Sequence, residues 1–225
     1  MKGTPGLSFA RKHLDPGSRM LEILFGLIMT LTFTLGAGMM LQEEGAEGAR
    51  ELLIATAGCN LAWGVIDGIF YVLGELFERA RRLRIAAGVR AAADELAARK
   101  LVADEFDESL EPVTDTPARD GLYDAIARRL RSLEIPPVRV RREDLMGGLA
   151  SGWLVFACSF PAALPFAFID EPRLALRVSN VLLLGLLFVV GYQAGKRAFA
   201  KPWLVGSAFL LVGVALVAAT IALGG

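Results

Sequence analysis

The chain has 225 residues, 54% of them hydrophobic, and its 24 Lys and Arg are balanced by 24 Asp and Glu. A mean hydropathy of +0.49 is too high for an ordinary soluble domain, and zero net charge gives no reason to expect a nucleic-acid partner. Five membrane crossings of roughly 20 residues each leave about 125 residues for everything else, which excludes a large catalytic domain.

Five apolar runs follow one another along the chain, and each is predicted to form a transmembrane helix. They cover residues 20–41, 52–77, 145–169, 178–193 and 203–223. The third run contains Pro161 and Pro165, which membrane helices tolerate. The predicted fold is therefore an all-α integral membrane protein with five transmembrane helices. Its parts are an N-terminal cytoplasmic segment (1–19), helices 1 and 2 (20–77), a helical cytoplasmic insert (78–144) and helices 3 to 5 (145–225).

Lys and Arg are concentrated in three connections, and basic connections are retained in the cytoplasm. The N-terminal segment carries four, residues 79–144 carry fourteen, and the link between the fourth and fifth runs carries three. The link 42–51 has only Arg50, and the link after the third run has Arg173 and Arg177. We therefore expect a cytoplasmic N-terminus and a C-terminus outside the cell.

The insert divides into three charge blocks: two basic flanks and an acidic middle, 101–124, with eight acidic residues and one basic residue. Apolar residues recur at helical spacing on both sides of that middle, and Thr116-Pro117 has the form of an N-cap followed by N1. Two amphipathic helices joined by an acidic turn are predicted. Their apolar stripes pack either on each other or on a second protomer. The acidic residues are either a solvated turn or a cytoplasmic metal site; they are Asp104, Glu105, Asp107, Glu108 and Glu111.

Ionisable residues inside apolar runs are the best candidates for function, because a charge there costs at least about 2.5–3.5 kcal/mol to insert. Asp67 lies deep in the second run and shares a helical face with Asn60 and Glu75. An antiparallel first helix is expected to bring Glu22 near the depth of Glu75, and Met29 near the depth of Asp67.

These five residues form the predicted metal site, although each also has a structural explanation. Carboxylate and amide oxygens suit hard divalent cations, and a thioether adds a preference for softer ones, so ferrous iron or manganese fits better than magnesium. Against this, Glu22 and Glu75 lie near a membrane boundary, and Met29 is of a type that often only fills space. Cys59 and Cys158 are expected to be buried thiols.

The order of segments resembles the vacuolar iron transporter family and its bacterial relatives over residues 19–223. The more specific features are Gly74-Glu75 leading to Glu78-Arg79, and Pro161 to Pro165 before Phe166. The resemblance implies a homodimer in a bacterial inner (plasma) membrane that exports Fe²⁺ or Mn²⁺ from the cytosol against a proton gradient. It also implies a path between the first two helices and metal-binding acidic residues on the insert. Only Glu75 is carried over from the family; Phe25-Gly26 is followed here by Leu27-Ile28-Met29, without the family's carboxylate.

The sequence is compatible with two functions. The first is a proton-coupled divalent-metal transporter, with the metal as substrate and a homodimer as its form. The second is a membrane-anchored interaction protein without transport activity. The sequence carries no nucleotide-binding, nucleophile-elbow, zincin or haem-attachment motif, so neither an enzyme nor a bound cofactor is predicted.

Overall fold

The computed structural model of the protein describes residues 5–36, 40–198 and 200–222, and every regular element in these ranges is helical. The elements are α1 (Pro5–His13), α2 (Pro16–Gly36), α3 (Met40–Ala91), α4 (Glu95–Leu110), α5 (Thr116–Ser132), α6 (Arg142–Ala157), α7 (Ser159–Ala163), a 3-10 turn (Leu164–Ala167), α8 (Pro172–Arg197) and α9 (Pro202–Ala222).

Five helical segments of the described chain are long and apolar enough to cross a membrane, as the composition predicts. They are Pro16–Leu35, Glu47–Ala91, Arg142–Ala167, Pro172–Arg197 and Pro202–Thr220. The chain divides into two compact units. The first comprises the chain up to Val72 and again from Arg142 onward, and the second is Leu73–Arg141.

The first unit is held by an apolar core at the centre of α2. Leu27 and Leu31 of α2 are 2% and 0% exposed and pack with Leu183 and Leu187 of α8. The predicted N-terminal cytoplasmic segment (1–19) contains helix α1, whose Ala10 packs with residues of α6. The N-terminal segment thus adds a short helix to the first unit.

The predicted link 42–51 is wrong, because these residues belong to α3, which begins at Met40. Eight of these ten residues are Glu, Ala, Gln or Arg, which have high intrinsic helix propensity, and they outweigh the two glycines, so a polar composition did not end the helix. The last residues predicted for the first helix include 37–39, which lie outside the described residues. Moving the α2–α3 connection towards the N-terminus also changes which residues of the two helices lie side by side.

The third apolar run is not one continuous helix. Helix α6 ends at Ala157, and the chain continues through α7 and the 3-10 turn. Pro161 has no N–H to donate to the carbonyl of Ala157, and Pro165 has none for the carbonyl of Pro161. The Cys158 N–H instead bonds to the Val155 carbonyl, three residues back. The prolines shorten the straight part of this segment to Arg142–Ala157.

The second unit contains the end of α3 together with α4 and α5. Its core consists of Val89, Ala98, Val102, Tyr123 and Ala127, so the predicted apolar stripes pack on each other. The predicted acidic turn is wrong, since residues 101–110 of that block lie in α4 and residues 116–124 lie in α5. Helix α5 is capped by Asp115, whose side chain accepts from the Ala118 N–H at 3.0 Å. Thr116 is the first helical residue rather than the cap.

Candidate functional site

Two carboxyl groups meet between the helices of the first unit. The side chains of Glu22 of α2 and Asp67 of α3 lie next to each other, and we call them the acid pair. Ser151 of α6, which is 0% exposed, donates from its hydroxyl to Asp67 Oδ2 at 2.7 Å and also lies within hydrogen-bonding reach of Glu22. Three helices thus contribute oxygen atoms to one small site within segments that are apolar enough to span a membrane.

Glycines determine how closely α3 and α6 approach at the acid pair. A Cβ built on Gly64 would lie 2.5 Å from the carbonyl oxygen of Gly152, and one built on Gly68 would lie 2.7 Å from that of Gly148. Each helix therefore carries two glycines four residues apart, the small-residue spacing that allows membrane helices to touch through their backbones. Asp67 and Ser151 lie within this crossing, which explains their short hydrogen bond.

The charge of the acid pair has no partner of opposite sign in the described part of the chain. The ion pairs there involve other residues, and no basic side chain is paired with Glu22 or Asp67. Two ionised carboxylates side by side repel each other strongly, and a proton or a cation bound between them removes this repulsion.

A second group of polar side chains lies farther along the same helices. Asn60 Nδ2 donates to Thr30 Oγ1 at 2.6 Å and to the Val155 carbonyl at 3.2 Å. One turn beyond Thr30, the Thr34 hydroxyl donates to Asn180 Oδ1 of α8 at 3.0 Å. From Glu22 to Thr34 these side chains follow one face of α2 over about 18 Å.

The five residues predicted to bind metal do not all meet at one point. Glu22 lies beside Asp67 rather than beside Glu75, because the antiparallel register of α2 and α3 differs from the predicted one by about two turns. Met29 is half-buried and lies about 10.5 Å from Glu22 along α2, the same axial separation that divides Asn60 from Asp67. Glu75 is exposed and belongs to the second unit. No group of three or more His, Cys, Asp or Glu side chains in the described ranges is arranged to hold a metal ion.

The acidic residues of the second unit form ion pairs and hydrogen bonds within that unit. Glu105 Oε1 lies 2.5 Å from Arg81 Nη1, and Asp107 Oδ1 lies 3.2 Å from Arg119 Nε. Asp107 also accepts from the Tyr123 hydroxyl at 2.8 Å. Burial, together with the hydrogen bond to Asp107, raises the pKa of Tyr123 above its ordinary value. These contacts account for part of the acidic block as a helix-packing network.

Two residues of these polar groups, Ser151 and Thr30, are not among the residues predicted from the sequence. Ser151 follows Gly147 by four residues and immediately precedes Gly152, so it lies within the very pattern that brings α6 against α3. A hydroxyl inside a small-residue stripe, opposite an isolated carboxylate on another helix, is the signal that would have identified it.

Two faces that could have held a second copy of the chain are covered within one chain. The small-residue face of α6 packs on Gly64 and Gly68 of α3, and the apolar stripes of the insert form the core of the second unit. A homodimer therefore remains a prediction that needs other support.

Comparison with known proteins does not place the chain in a family. No family model matches the sequence, and no curated protein matches it. The resemblance to the vacuolar iron transporters stays a prediction from the order of segments and the residues quoted for it.

Proposed function

We propose that the protein is a proton-coupled transporter of divalent metal ions, with Glu22 and Asp67 as the group that binds either a proton or the ion. The observation that supports this most is the contact of two carboxyl groups from different helices inside apolar spanning segments. Ionisable groups at membrane depth are costly, and they commonly mark ion paths and proton relays.

The acid pair supplies the coupling through its charge. With one proton it carries a charge of −1, and loss of that proton leaves two carboxylates that repel each other until a cation arrives. A divalent ion neutralises both charges, so binding of the ion and of the proton exclude each other. This competition converts a proton gradient into movement of the ion whenever the site is exposed alternately to the two sides of the membrane.

The donor atoms determine the class of ion. Glu22, Asp67 and Ser151 offer oxygen only, the ligand type preferred by Mg²⁺, Ca²⁺ and Mn²⁺. Hard divalent ions keep several water ligands, so three protein groups are enough for a transient site. Because Met29 lies about two turns away, we favour Mn²⁺ over Fe²⁺ as the substrate. Because the ion and the proton exclude each other at this site, a proton gradient directed into a bacterial cytoplasm drives the ion out of the cytosol.

Reconstituted flux tests this proposal. Proteoliposomes containing the parent protein should take up Mn²⁺ when a pH gradient is imposed, and much less without one. Asp67→Asn and Glu22→Gln should each lower the gradient-dependent rate at least about tenfold, because neither variant can exchange a proton at the changed position. Asp15→Asn is the matched control, since this carboxylate lies outside the spanning segments. Unchanged flux in both acid-pair variants would contradict the proposal.

The second unit favours one alternative, a membrane-anchored interaction protein. Leu73–Arg141 has an apolar core of its own, as a recruiting domain would. Under this alternative the acid pair has no functional role. Neutralising Asp67 should then leave every activity intact and should lower the free-energy cost of burying the pair. The same flux experiment therefore separates the two functions.

A further inference from the structure

The side-chain amide of Asn60 is completely buried, and its orientation is fixed by its neighbours. Asn60 is 0% exposed, and its Nδ2 faces the Val155 carbonyl, which can only accept. The Thr30 hydroxyl donates to the Gly26 carbonyl at 2.7 Å, so towards Asn60 it acts as an acceptor. Rotating the amide by 180° would place its oxygen against two acceptors, which excludes that alternative.

Asn60 Oδ1 is consequently left without a hydrogen-bond donor from the described residues. Leaving such an atom unsatisfied costs about 1–3 kcal/mol, and nearly all buried polar atoms in native proteins have a partner. The amide oxygen therefore points to a ligand that the protein itself does not supply.

The chemistry around Asn60 selects a neutral hydrogen-bond donor. Its hydrogen-bond partners are the Thr30 hydroxyl and the Val155 carbonyl. The acid pair lies about 10.5 Å away along α3. A divalent ion here would bring two positive charges into an apolar surrounding without a counter-charge, which is prohibitively costly. A water molecule is neutral, so it avoids this cost, and it can donate a hydrogen bond to Oδ1.

We propose that Asn60 Oδ1 holds a bound water molecule, which donates a hydrogen bond to this oxygen and completes the polar contacts among α2, α3 and α6 at this level. The water site does not depend on the proposed function.

Infrared spectroscopy tests the water site directly, because the chain has only two asparagines, Asn60 and Asn180. Protein grown with ¹³C-labelled asparagine gives two side-chain carbonyl bands, and Asn60→Leu identifies the one from Asn180. Asn180 Oδ1 accepts from Thr34, so Thr34→Val moves the Asn180 band to the position of a free amide carbonyl. We expect the Asn60 band at the hydrogen-bonded position of parent Asn180. A band at the free position would overturn the water site.

Discussion

Replacing Gly64 by alanine tests the helix crossing that brings the acid pair to Ser151. The added Cβ would lie 2.5 Å from the Gly152 carbonyl oxygen, against about 3.4 Å for an ordinary contact, so α3 and α6 must separate by about 0.9 Å. Overpacking of this kind costs about 1–3 kcal/mol. The same separation lengthens the 2.7 Å hydrogen bond between Ser151 and Asp67 beyond hydrogen-bonding distance.

Gly58 provides a matched control on the same helix. A Cβ built there meets nothing within 4 Å, so Gly58→Ala gains helix propensity without a clash. In detergent, we expect Gly64→Ala to melt several degrees below the parent protein, and Gly58→Ala to melt at or above it. Equal melting temperatures for the two variants would show that the helices do not cross in this way.

Three further predictions concern individual contacts, and a fourth concerns the orientation in the membrane. Asp15→Ala should lower stability by about 1 kcal/mol, because Asp15 accepts from the Gly17 and Ser18 N–H groups at the start of α2. The Ser18 hydroxyl lowers the pKa of Asp15 below 3.8, so this contribution should persist above that pH and disappear in denaturation curves as the pH falls through the lowered value. Tyr123→Phe should cost about 1 kcal/mol through the lost bond to Asp107, and should remove from an absorbance titration the tyrosine that ionises above pH 10. The orientation can be tested with single cysteines in a background lacking Cys59 and Cys158. Cysteines that replace Glu47 and Glu171 should react with an impermeant thiol reagent outside sealed cells, whereas one that replaces Asp107 should not. The reverse pattern would contradict the proposed orientation.

Composition and hydropathy were enough to predict the helical membrane architecture, because a spanning helix needs a long apolar run whatever its neighbours are. Helix ends were harder to place. The polar residues 42–51 looked like a connection, yet their glutamates and other good helix formers extend α3 through them. Conversely, Pro161 and Pro165 end α6 inside a run that is apolar throughout. Local backbone chemistry decided both ends, and hydropathy does not detect it.

The candidate site was predicted in part, for a similar reason. Asp67 stands out as an isolated charge in an apolar run, and Glu22 as the only full charge in the run beside it. Which partner each one meets depends on the antiparallel register of α2 and α3, and the misplaced connection shifted that register towards Glu75. The orphan oxygen of Asn60 depends on the orientation of one amide, which no sequence pattern specifies.

Proton release on ion binding tests the central claim, that the acid pair exchanges a proton for a divalent ion. Purified protein in weakly buffered detergent solution is titrated with Mn²⁺ while the pH is recorded. The account predicts release of about one proton per bound ion from the parent protein, strongly reduced binding in Asp67→Asn, and unchanged release in Asp15→Asn. Binding of Mn²⁺ without proton release, or equal release from Asp67→Asn, would contradict it.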